Sequence, residues 1–269
     1  MMNNDCGNLL VVGCGAMGSA LVKGFINSEL LPPASIICYD VDSMKASAMN
    51  ESSGVSIAKS LDAASQADVV LLCVKPDKVA EVCGDIRLLV ENKLVISIAA
   101  GVTLQMLKGW LPGTRCVRAM PNTPCSIGKG AVAYACSTDV LPADIEFTQA
   151  AFSAVGYAKM LQESLMEAVT ALSGSGPAYV FLMIEALADA GVMTGLPRTL
   201  ALELASHTVA GAAEMVERSG LHPAVLKDNV CSPGGTTIYG VEALEGAGFR
   251  SACIKGVRAA YERANQMKR

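Results

Sequence analysis

Three glycines near the start of the chain have the spacing Gly-x-Gly-x-x-Gly. Gly13, Gly15 and Gly18 directly follow the apolar run Leu9 to Val12 and lead into a helical pattern. In that setting the first glycine permits a tight turn, the second lets the backbone approach a pyrophosphate, and the third lets a helix pack close to a strand. A plain glycine-rich turn is the alternative. The pattern predicts a nicotinamide dinucleotide site formed by Val12, Gly13, Cys14, Gly15, Ala16, Met17 and Gly18.

A carboxylate ends the second apolar run. Asp40 lies 22 residues beyond Gly18, where an acidic side chain usually accepts hydrogen bonds from the adenosine ribose and repels a 2′-phosphate. Taken alone, Asp40 favours NADH. Lys59 and Ser60, after a third strand, are however placed to reach a 2′-phosphate, and Asp40 is also explained as a solvated turn residue. We therefore expect NADPH or NADH as cofactor, with the preference open.

Three more segments stand where predicted strands end. They are Val74-Lys75-Pro76, Ala99-Ala100-Gly101 and Met120-Pro121-Asn122-Thr123-Pro124. An open parallel sheet binds its ligand outside the carboxyl ends of its strands. Lys75 is placed to hydrogen-bond a ribose hydroxyl, the alanines leave room for a flat nicotinamide, and Asn122 can orient the nicotinamide amide or a substrate. A surface lysine and an ordinary strand end are the alternatives. The predicted cofactor contacts here are Cys73, Val74, Lys75, Pro76, Ile98, Ala99, Ala100 and Asn122.

Short apolar runs alternate with helical patterns through the first half of the chain. This alternation is typical of βαβ units, and the intervening segments, such as Met17 to Asn27 and Asp77 to Val90, are long enough for right-handed helical crossovers. The sequence predicts an α/β fold with a Rossmann-type doubly wound sheet in residues 1–161, including a helix from Pro142 to Val155. The predicted strands are Leu9 to Gly13, Ile36 to Asp40, Val69 to Val74, Leu94 to Ala99, Arg115 to Ala119, Ala131 to Ala135 and Tyr157 to Leu161.

The pattern changes after Glu163 to long helical stretches separated by Gly and Pro. Residues 162–269 are therefore predicted to form an all-α domain. Its helix from Pro177 to Thr194 is apolar nearly all round. A domain of this size does not easily bury such a helix alone, so we expect a homodimer interface, with a buried central helix as the alternative.

Composition excludes several classes of protein. The net charge is −4 and no Lys/Arg cluster is present, which argues against nucleic-acid binding. The apolar runs are shorter than a membrane span, and Met1 to Gly7 lacks the features of a signal peptide, so we expect a cytoplasmic protein without membrane attachment. The ten cysteines form no CxxC pair and only two histidines are present, so no metal site is expected.

Four motifs extend along the chain: Ala99-Ala100-Gly101-Val102-Thr103, Met120-Pro121-Asn122-Thr123-Pro124, the segment Leu172 to Tyr179 (LSGSGPAY) and the segment Leu226 to Thr237 (LKDNVCSPGGTT). Together they resemble the pyrroline-5-carboxylate reductase family, and the resemblance runs from the first strand to the last helix. It implies a Rossmann domain followed by a helical dimerisation domain, with dimers assembled into a decamer. It also implies reduction of 1-pyrroline-5-carboxylate to L-proline, the last step of proline biosynthesis. The Ser-Pro-Gly-Gly-Thr-Thr segment is the most specific element.

The resemblance also implies roles for individual residues. Thr170 matches the family threonine that hydrogen-bonds the ring nitrogen. Glu163, Asp228 and Asn229 match positions near substrate or nicotinamide, although each is also explained as a polar residue at a helix end. Backbone N–H groups and hydroxyls of Gly234, Gly235, Thr236 and Thr237 can hold the substrate carboxylate, with a helix cap as the alternative. Hydride transfer to a protonated imine needs no strong general acid, so positioning is the expected contribution of these residues.

Two rival interpretations fit the sequence less well. The β-hydroxyacid dehydrogenases share the two-domain layout, but they carry a catalytic lysine on the first long C-terminal helix, and Pro177 to Thr194 contains no lysine. A non-catalytic dinucleotide-sensing or pyridoxal-phosphate-handling protein would not need the carboxylate-binding segment at Ser232 to Thr237. Asp40 departs from the small polar residue of family members that favour NADPH, so the cofactor preference does not transfer.

Overall fold

The computed structural model describes residues 8–267, so Met1 to Gly7, on which part of the localisation argument depends, lies outside the described residues. The chain forms two compact units. Among the described residues, the sheet unit extends to Ser175 and includes residues 260–267, and the helical unit is Gly176–Ala259. The domain boundary after residue 161 stays a prediction.

The sheet unit is built on one sheet of eight strands in the order β3-β2-β1-β4-β5-β6-β7-β8. All neighbouring pairs are parallel except β6 and β7. The seven predicted strands are present, and a short β3 precedes Lys59. The strands are β1 Leu9–Val12, β2 Ile36–Tyr39, β3 Ser56–Ile57, β4 Val69–Leu72, β5 Leu94–Ser97, β6 Arg115–Met120, β7 Gly130–Cys136 and β8 Gly156–Met160.

The antiparallel β6–β7 pair departs from a wholly parallel doubly wound sheet. A parallel neighbour requires a crossover of a dozen or more residues. Residues 121–129 provide a shorter connection with one 3₁₀ segment, Thr123–Ile127, so β7 returns antiparallel. The connection from β7 to β8 contains helix α5, Pro142–Ser153, and that pair is parallel again.

The central strands are apolar throughout because helices cover both faces of the sheet. Successive residues of β1 enter two different hydrophobic clusters. Leu9 and Val11 lie in one, Leu10 and Val12 in the other, and all four are buried. The remaining helices of the sheet unit before Glu163 are α1 Ala16–Asn27, α2 Ser43–Ser53, α3 Val79–Ile86 and α4 Leu104–Trp110. The crossover predicted from Asp77 to Val90 therefore holds a shorter helix, which a 3₁₀ turn at Pro76–Lys78 precedes.

From Glu163 to the last described residue the chain contains helices and no strand, as the sequence predicts. A 3₁₀ turn at Glu163–Leu165 leads to α6 Met166–Val169, which continues into a π-helical turn, Thr170–Gly174. We call residues 170–174 the Thr170 turn. The helices that follow are α7 Gly176–Met193, α8 Arg198–Ser219, α9 Pro223–Val230, α10 Thr236–Gly246 and α11 Phe249–Gln266.

Helix α7 is exposed in the single chain. It packs on α8 through a small cluster around Ala188, Ala201 and Ala205, whereas Phe181, Leu182 and Met193 are 61%, 68% and 87% exposed. The alternative of a buried central helix is therefore wrong for the single chain. An apolar face of this kind is typical of a surface that a partner covers.

One helical stretch within residues 8–267, Glu163–Met193, is long and apolar enough to cross a membrane by length and composition. Its mean hydropathy is 1.3, and 6% of the apolar window is buried. Glycines and serines interrupt its apolar residues, so counting uninterrupted apolar runs missed it. A helix at a subunit interface has the same composition. The expected absence of membrane attachment stays a prediction.

Candidate active site

The glycine turn between β1 and α1 depends on two missing side chains. Gly13 has φ +108°, and a Cβ there would lie 2.7 Å from the carbonyl carbon of Cys73. A Cβ on Gly18 would collide with the carbonyl oxygen of Gly13. Helix α1 therefore begins directly against the ends of β1 and β4. The unpaired N–H groups of its first turn face the carboxyl edge of the sheet, where a helix N-terminus binds a phosphate.

The strand ends predicted to contact the cofactor lie side by side at this edge. The N–H of Gly13 donates to the carbonyl of Tyr39 at 2.8 Å, and the N–H of Cys73 donates to the carbonyl of Val12 at 2.7 Å. The N–H of Ile98 bonds to the carbonyl of Leu72 at 3.1 Å. These bonds align the chain just beyond β1, β2, β4 and β5. The structure thus brings together the segments 12–18, 73–76 and 98–100, with Lys75 exposed and Ala99 buried.

Asp40 supports the glycine turn directly. Its Oδ2 accepts the N–H of Cys14 at 2.7 Å, and its Oδ1 accepts the N–H of Asp42 at 2.9 Å. Both carboxylate oxygens thus accept hydrogen bonds from the backbone. These bonds explain an acidic residue at this position even if it does not bind the cofactor ribose. Of the two residues expected near a 2′-phosphate, Lys59 is exposed and Ser60 caps the next 3₁₀ turn, with its Oγ donating to Asp62 Oδ2 at 2.8 Å.

Three thiols lie around the same turn. A hydrogen bond from the Cys38 thiol lowers the pKa of Cys14, and that same bond, together with burial, raises the pKa of Cys38. Burial also raises the pKa of Cys73. Cys38 and Cys73 are therefore protonated at neutral pH and act as small apolar side chains. In the described part of the chain, no group of three or more His, Cys, Asp or Glu side chains is placed to hold a metal ion.

Thr170 opens the π-helical turn and is half-buried. Its Oγ1 donates to the carbonyl of Met166 at 2.9 Å, so the hydroxyl proton is already used. The lone pairs of Oγ1 remain available to accept a hydrogen bond. Turns of the π type occur often at functional sites.

Asn122 reaches this turn from the sheet and is 8% exposed. Its Nδ2 donates to the carbonyl of Ser173 at 3.0 Å, and its Oδ1 accepts the N–H of Ala131 at 2.9 Å. Asn122 therefore joins β6, β7 and the Thr170 turn. Its expected contact with nicotinamide or substrate stays a prediction.

Glu163 belongs to a charged cluster that sequence reasoning missed. Its Oε1 accepts the N–H of Leu104 at 2.6 Å, at the start of α4, and lies 3.5 Å from Arg118 Nη1. Arg118 Nη2 donates to Glu167 Oε1 at 2.7 Å, and both residues are 2% exposed. The signal in the sequence is an arginine inside an apolar strand pattern, Cys116-Val117-Arg118-Ala119, because a buried charge requires a partner.

The other expected substrate contacts lie in the helical unit. Asp228 and Asn229 are exposed near the end of α9, and Asp228 pairs with Lys227 at 2.5 Å. Gly234 has φ +68° and Gly235 caps α10, which begins with Thr236 and Thr237. A Cβ on Gly235 would collide with the Ser232 hydroxyl. No side chain caps α10 at Gly235, so the N–H groups of its first turn are available to a carboxylate.

A Rossmann-type sheet with a Gly-x-Gly-x-x-Gly turn at its carboxyl edge and an all-helical second unit define a nicotinamide-dinucleotide-dependent oxidoreductase. Comparison with protein-family models supports both halves. The model described as pyrroline-5-carboxylate reductase dimerisation matches residues 163–267. The model described as NADP oxidoreductase, coenzyme F420-dependent, matches residues 8–101.

Individual relatives extend the similarity over nearly the whole chain. The pyrroline-5-carboxylate reductase of Synechocystis sp. is 44% identical over 258 residues, covering 96% of this chain and 97% of that protein. The Arabidopsis thaliana protein of the same name is 43% identical, covering 95% and 94%. The Plasmodium falciparum pyrroline carboxylate reductase structure with NADP bound has a TM-score of 0.90 at 33% identity, covering 98% and 99%. The chain belongs to the pyrroline-5-carboxylate reductase family, which confirms the resemblance.

Two single substitutions in the glycine turn test its role in protein stability and its role in cofactor binding separately. Gly18→Ala should lower the free energy of unfolding by about 1–3 kcal/mol, because its Cβ collides with the Gly13 carbonyl. Gly15→Ala should fold normally, since no atom lies within 4 Å of its Cβ, yet weaken NADPH binding about tenfold by obstructing the pyrophosphate. Thermal unfolding and fluorescence titration measure the two effects. Equal NADPH affinity of Gly15→Ala and wild type would contradict the assignment of this turn.

Proposed function

We propose that this protein reduces 1-pyrroline-5-carboxylate to L-proline with NADPH or NADH, the last step of proline biosynthesis. The observation that carries the proposal is 44% identity over 96% of the chain to a protein of that activity. In the reaction a hydride moves from C4 of the nicotinamide to the imine carbon of the ring. The electron pair of the C=N bond moves to the protonated nitrogen, which becomes the secondary amine of proline. Atoms and charge therefore balance without a further acid.

The geometry of Thr170 suits the protonated imine. Its hydroxyl donates to the Met166 carbonyl, so Oγ1 offers only acceptor lone pairs to a ligand. An iminium N–H is a donor and carries positive charge, which makes the hydrogen bond to Oγ1 a strong one. We assign Thr170 to binding and orienting this nitrogen.

The substrate carboxylate requires donors that carry no competing negative charge. The first turn of α10 offers uncapped N–H groups at Thr236 and Thr237, next to the turn at Gly234, whereas the N–H of Gly235 bonds to the carbonyl of Ser232 at 3.0 Å. A helix N-terminus stabilises an anion by its partial positive charge. We assign the carboxylate to these residues and keep Glu163, Asp228 and Asn229 as further contacts near substrate or nicotinamide.

The dinucleotide fits the glycine turn because the turn excludes side chains where a pyrophosphate approaches. The residues that would hold it are those of segments 12–18, 73–76 and 98–100, with Asp40, Lys59, Ser60, Asn122 and Asn229. When bound, the cofactor supplies the hydride. A relative with NADP bound supports NADPH, whereas Asp40 favours NADH, so we propose that both are accepted.

The assembly is a homo-oligomer, as the match to a dimerisation domain and the exposed apolar residues of α7 indicate. We propose that α7 lies in a homodimer interface and that dimers assemble into a decamer. We further propose that the protein is cytoplasmic, acts on a small molecule and binds neither membrane nor nucleic acid.

A coupled assay tests the activity. Purified protein should oxidise NADPH or NADH only when 1-pyrroline-5-carboxylate is added, with L-proline formed in equal amount. Absorbance at the nicotinamide band measures the oxidation of the cofactor, and amino-acid chromatography measures the L-proline formed. Absence of turnover with both cofactors would overturn the proposed function.

Thr170→Val should lower kcat about 10- to 100-fold, because a hydrogen bond to a charged group contributes about 1.5–3 kcal/mol. NADPH affinity should stay unchanged. Thr148→Val is the matched control, since Thr148 Oγ1 makes the same kind of bond to a helical carbonyl, that of Asp144 at 2.7 Å, within α5. A kcat of Thr170→Val equal to that of Thr148→Val would remove Thr170 from the mechanism.

Asp40→Asn tests the cofactor preference with less damage than a shorter side chain. Asparagine retains one acceptor oxygen for the N–H of Cys14 or Asp42, whereas serine loses the geometry of both bonds. Removing the carboxylate charge should raise the NADPH/NADH ratio of kcat/KM about tenfold if the charge faces the 2′-phosphate. An unaltered ratio means that Asp40 serves the glycine turn alone.

A further inference from the structure

Strand β6 and the residues after it contact the Thr170 turn and the helix before it at three alternate positions. Side chains two residues apart on a strand point to the same face. Arg118 and Met120 occupy one face of β6, and Asn122 follows two residues later. Arg118 pairs with Glu167 and Glu163, and Asn122 donates to the Ser173 carbonyl. The Met120 side chain lies so close to Gly174 that a Cβ on Gly174 would be 2.7 Å from Met120 Cε.

The turn that these side chains contact departs from regular helix geometry. The N–H of Ser175 bonds to the carbonyl of Thr170 at 2.9 Å, five residues back instead of four. The extra residue rotates the chain on either side of the turn relative to an uninterrupted α-helix. A π-type turn is rare and needs support from its surroundings. Here the contacts come from both sides of Thr170, at Glu167 before it and at Ser173 and Gly174 after it.

The energetics of the ion pair suggest a role beyond stability. Arg118 and Glu167 are each 2% exposed, so both charges have lost their hydration. The attraction within such a buried pair often does no more than offset that loss, and well-packed apolar residues often replace it without loss of stability. A buried pair does however fix geometry, because each guanidinium N–H has a defined direction.

We propose that Arg118 and Asn122 are positioning residues for the reaction, because they fix the orientation of the Thr170 turn from strand β6. Arg118 holds α6 through Glu167 and the 3₁₀ turn before α6 through Glu163, and Asn122 holds the other end of the Thr170 turn through Ser173. This inference depends on the proposed function in one respect, the role of Thr170 at the imine nitrogen. The orientation of the turn itself can be measured without activity.

The experiment compares two arginines of the same strand. Arg118→Met removes the ion pair that leads to the Thr170 turn. Arg115→Met is the matched control, because Arg115 pairs with Asp144 of α5 at 2.5 Å, away from that turn. The readouts are kcat, NADPH affinity and amide hydrogen exchange of residues 166–175. Arg118→Met should lower kcat about 10- to 100-fold and speed the exchange, since small misplacements of a reacting group have effects of that size. Arg115→Met should leave kcat and this exchange within about twofold of wild type.

A double variant guards against simple misfolding. Arg118→Met leaves Glu167 charged in the interior, so Arg118→Met with Glu167→Met removes both charges and is expected to fold. It should keep NADPH affinity within about twofold and still show the loss of kcat and the faster exchange. A folded double variant with the kcat and exchange of wild type would overturn the role of Arg118.

Asn122→Asp tests the second contact. Aspartate keeps an acceptor for the N–H of Ala131 but has no donor for the Ser173 carbonyl. A lowered kcat with faster exchange of residues 166–175 supports positioning. Weaker NADPH binding with an unchanged exchange rate would restrict Asn122 to the proposed cofactor contact and overturn its positioning role. If wild-type protein shows no turnover, the proposed function fails, and hydrogen exchange alone still decides whether Arg118 and Asn122 fix the turn.

Discussion

The close approach of helix α1 to strands β1 and β4 is the constraint on which the candidate site depends. The Gly13 carbonyl lies where a side chain on Gly18 would be, and the Cys73 backbone lies where one on Gly13 would be. With both side chains absent, the helix begins against the carboxyl ends of the strands, and its unpaired N–H groups face the ligand edge. Asp40 then fixes the loop between strand and helix by accepting the N–H of Cys14. The glycines and Asp40 thus act as one unit.

The sheet connects this edge to the Thr170 turn within one compact unit. Strands β1, β4, β5 and β6 are consecutive neighbours, so their register relates the glycine turn to the residues at the end of β6. From β6, Arg118 and Asn122 reach the segment that contains Thr170. Rigid backbone pairing therefore spans the distance between the candidate cofactor segments and the candidate imine contact, and the side chains of Arg118, Met120 and Asn122 complete the connection.

Local patterns explain what the sequence could predict. The apolar runs, the glycine spacing and the change to helical periodicity after Glu163 are each contained in a short window, and the strands and the helical second half were predicted from them. The Arg118–Glu167 pair, the Asn122–Ser173 bond and the bonds that Asp40 makes to backbone depend on long-range packing. Asp40 and Asn122 were identified by position, but their backbone partners could not be read from spacing. The π-type turn at Thr170 leaves no signal in the apolar pattern, because it changes a helix by a single residue.

The chemistry proposed for this site explains why such long-range contacts matter. A protonated imine accepts hydride without a general acid, so the protein has few strong groups to contribute and gains rate chiefly by fixing the reacting atoms. Thr170 offers a neutral acceptor, and the first turn of α10 offers backbone donors. Neutral groups of this kind act through direction and distance, which depend on the residues behind them. In the proposed site a buried arginine that touches no substrate would therefore affect turnover as much as the Thr170 hydroxyl that we assign to the imine nitrogen.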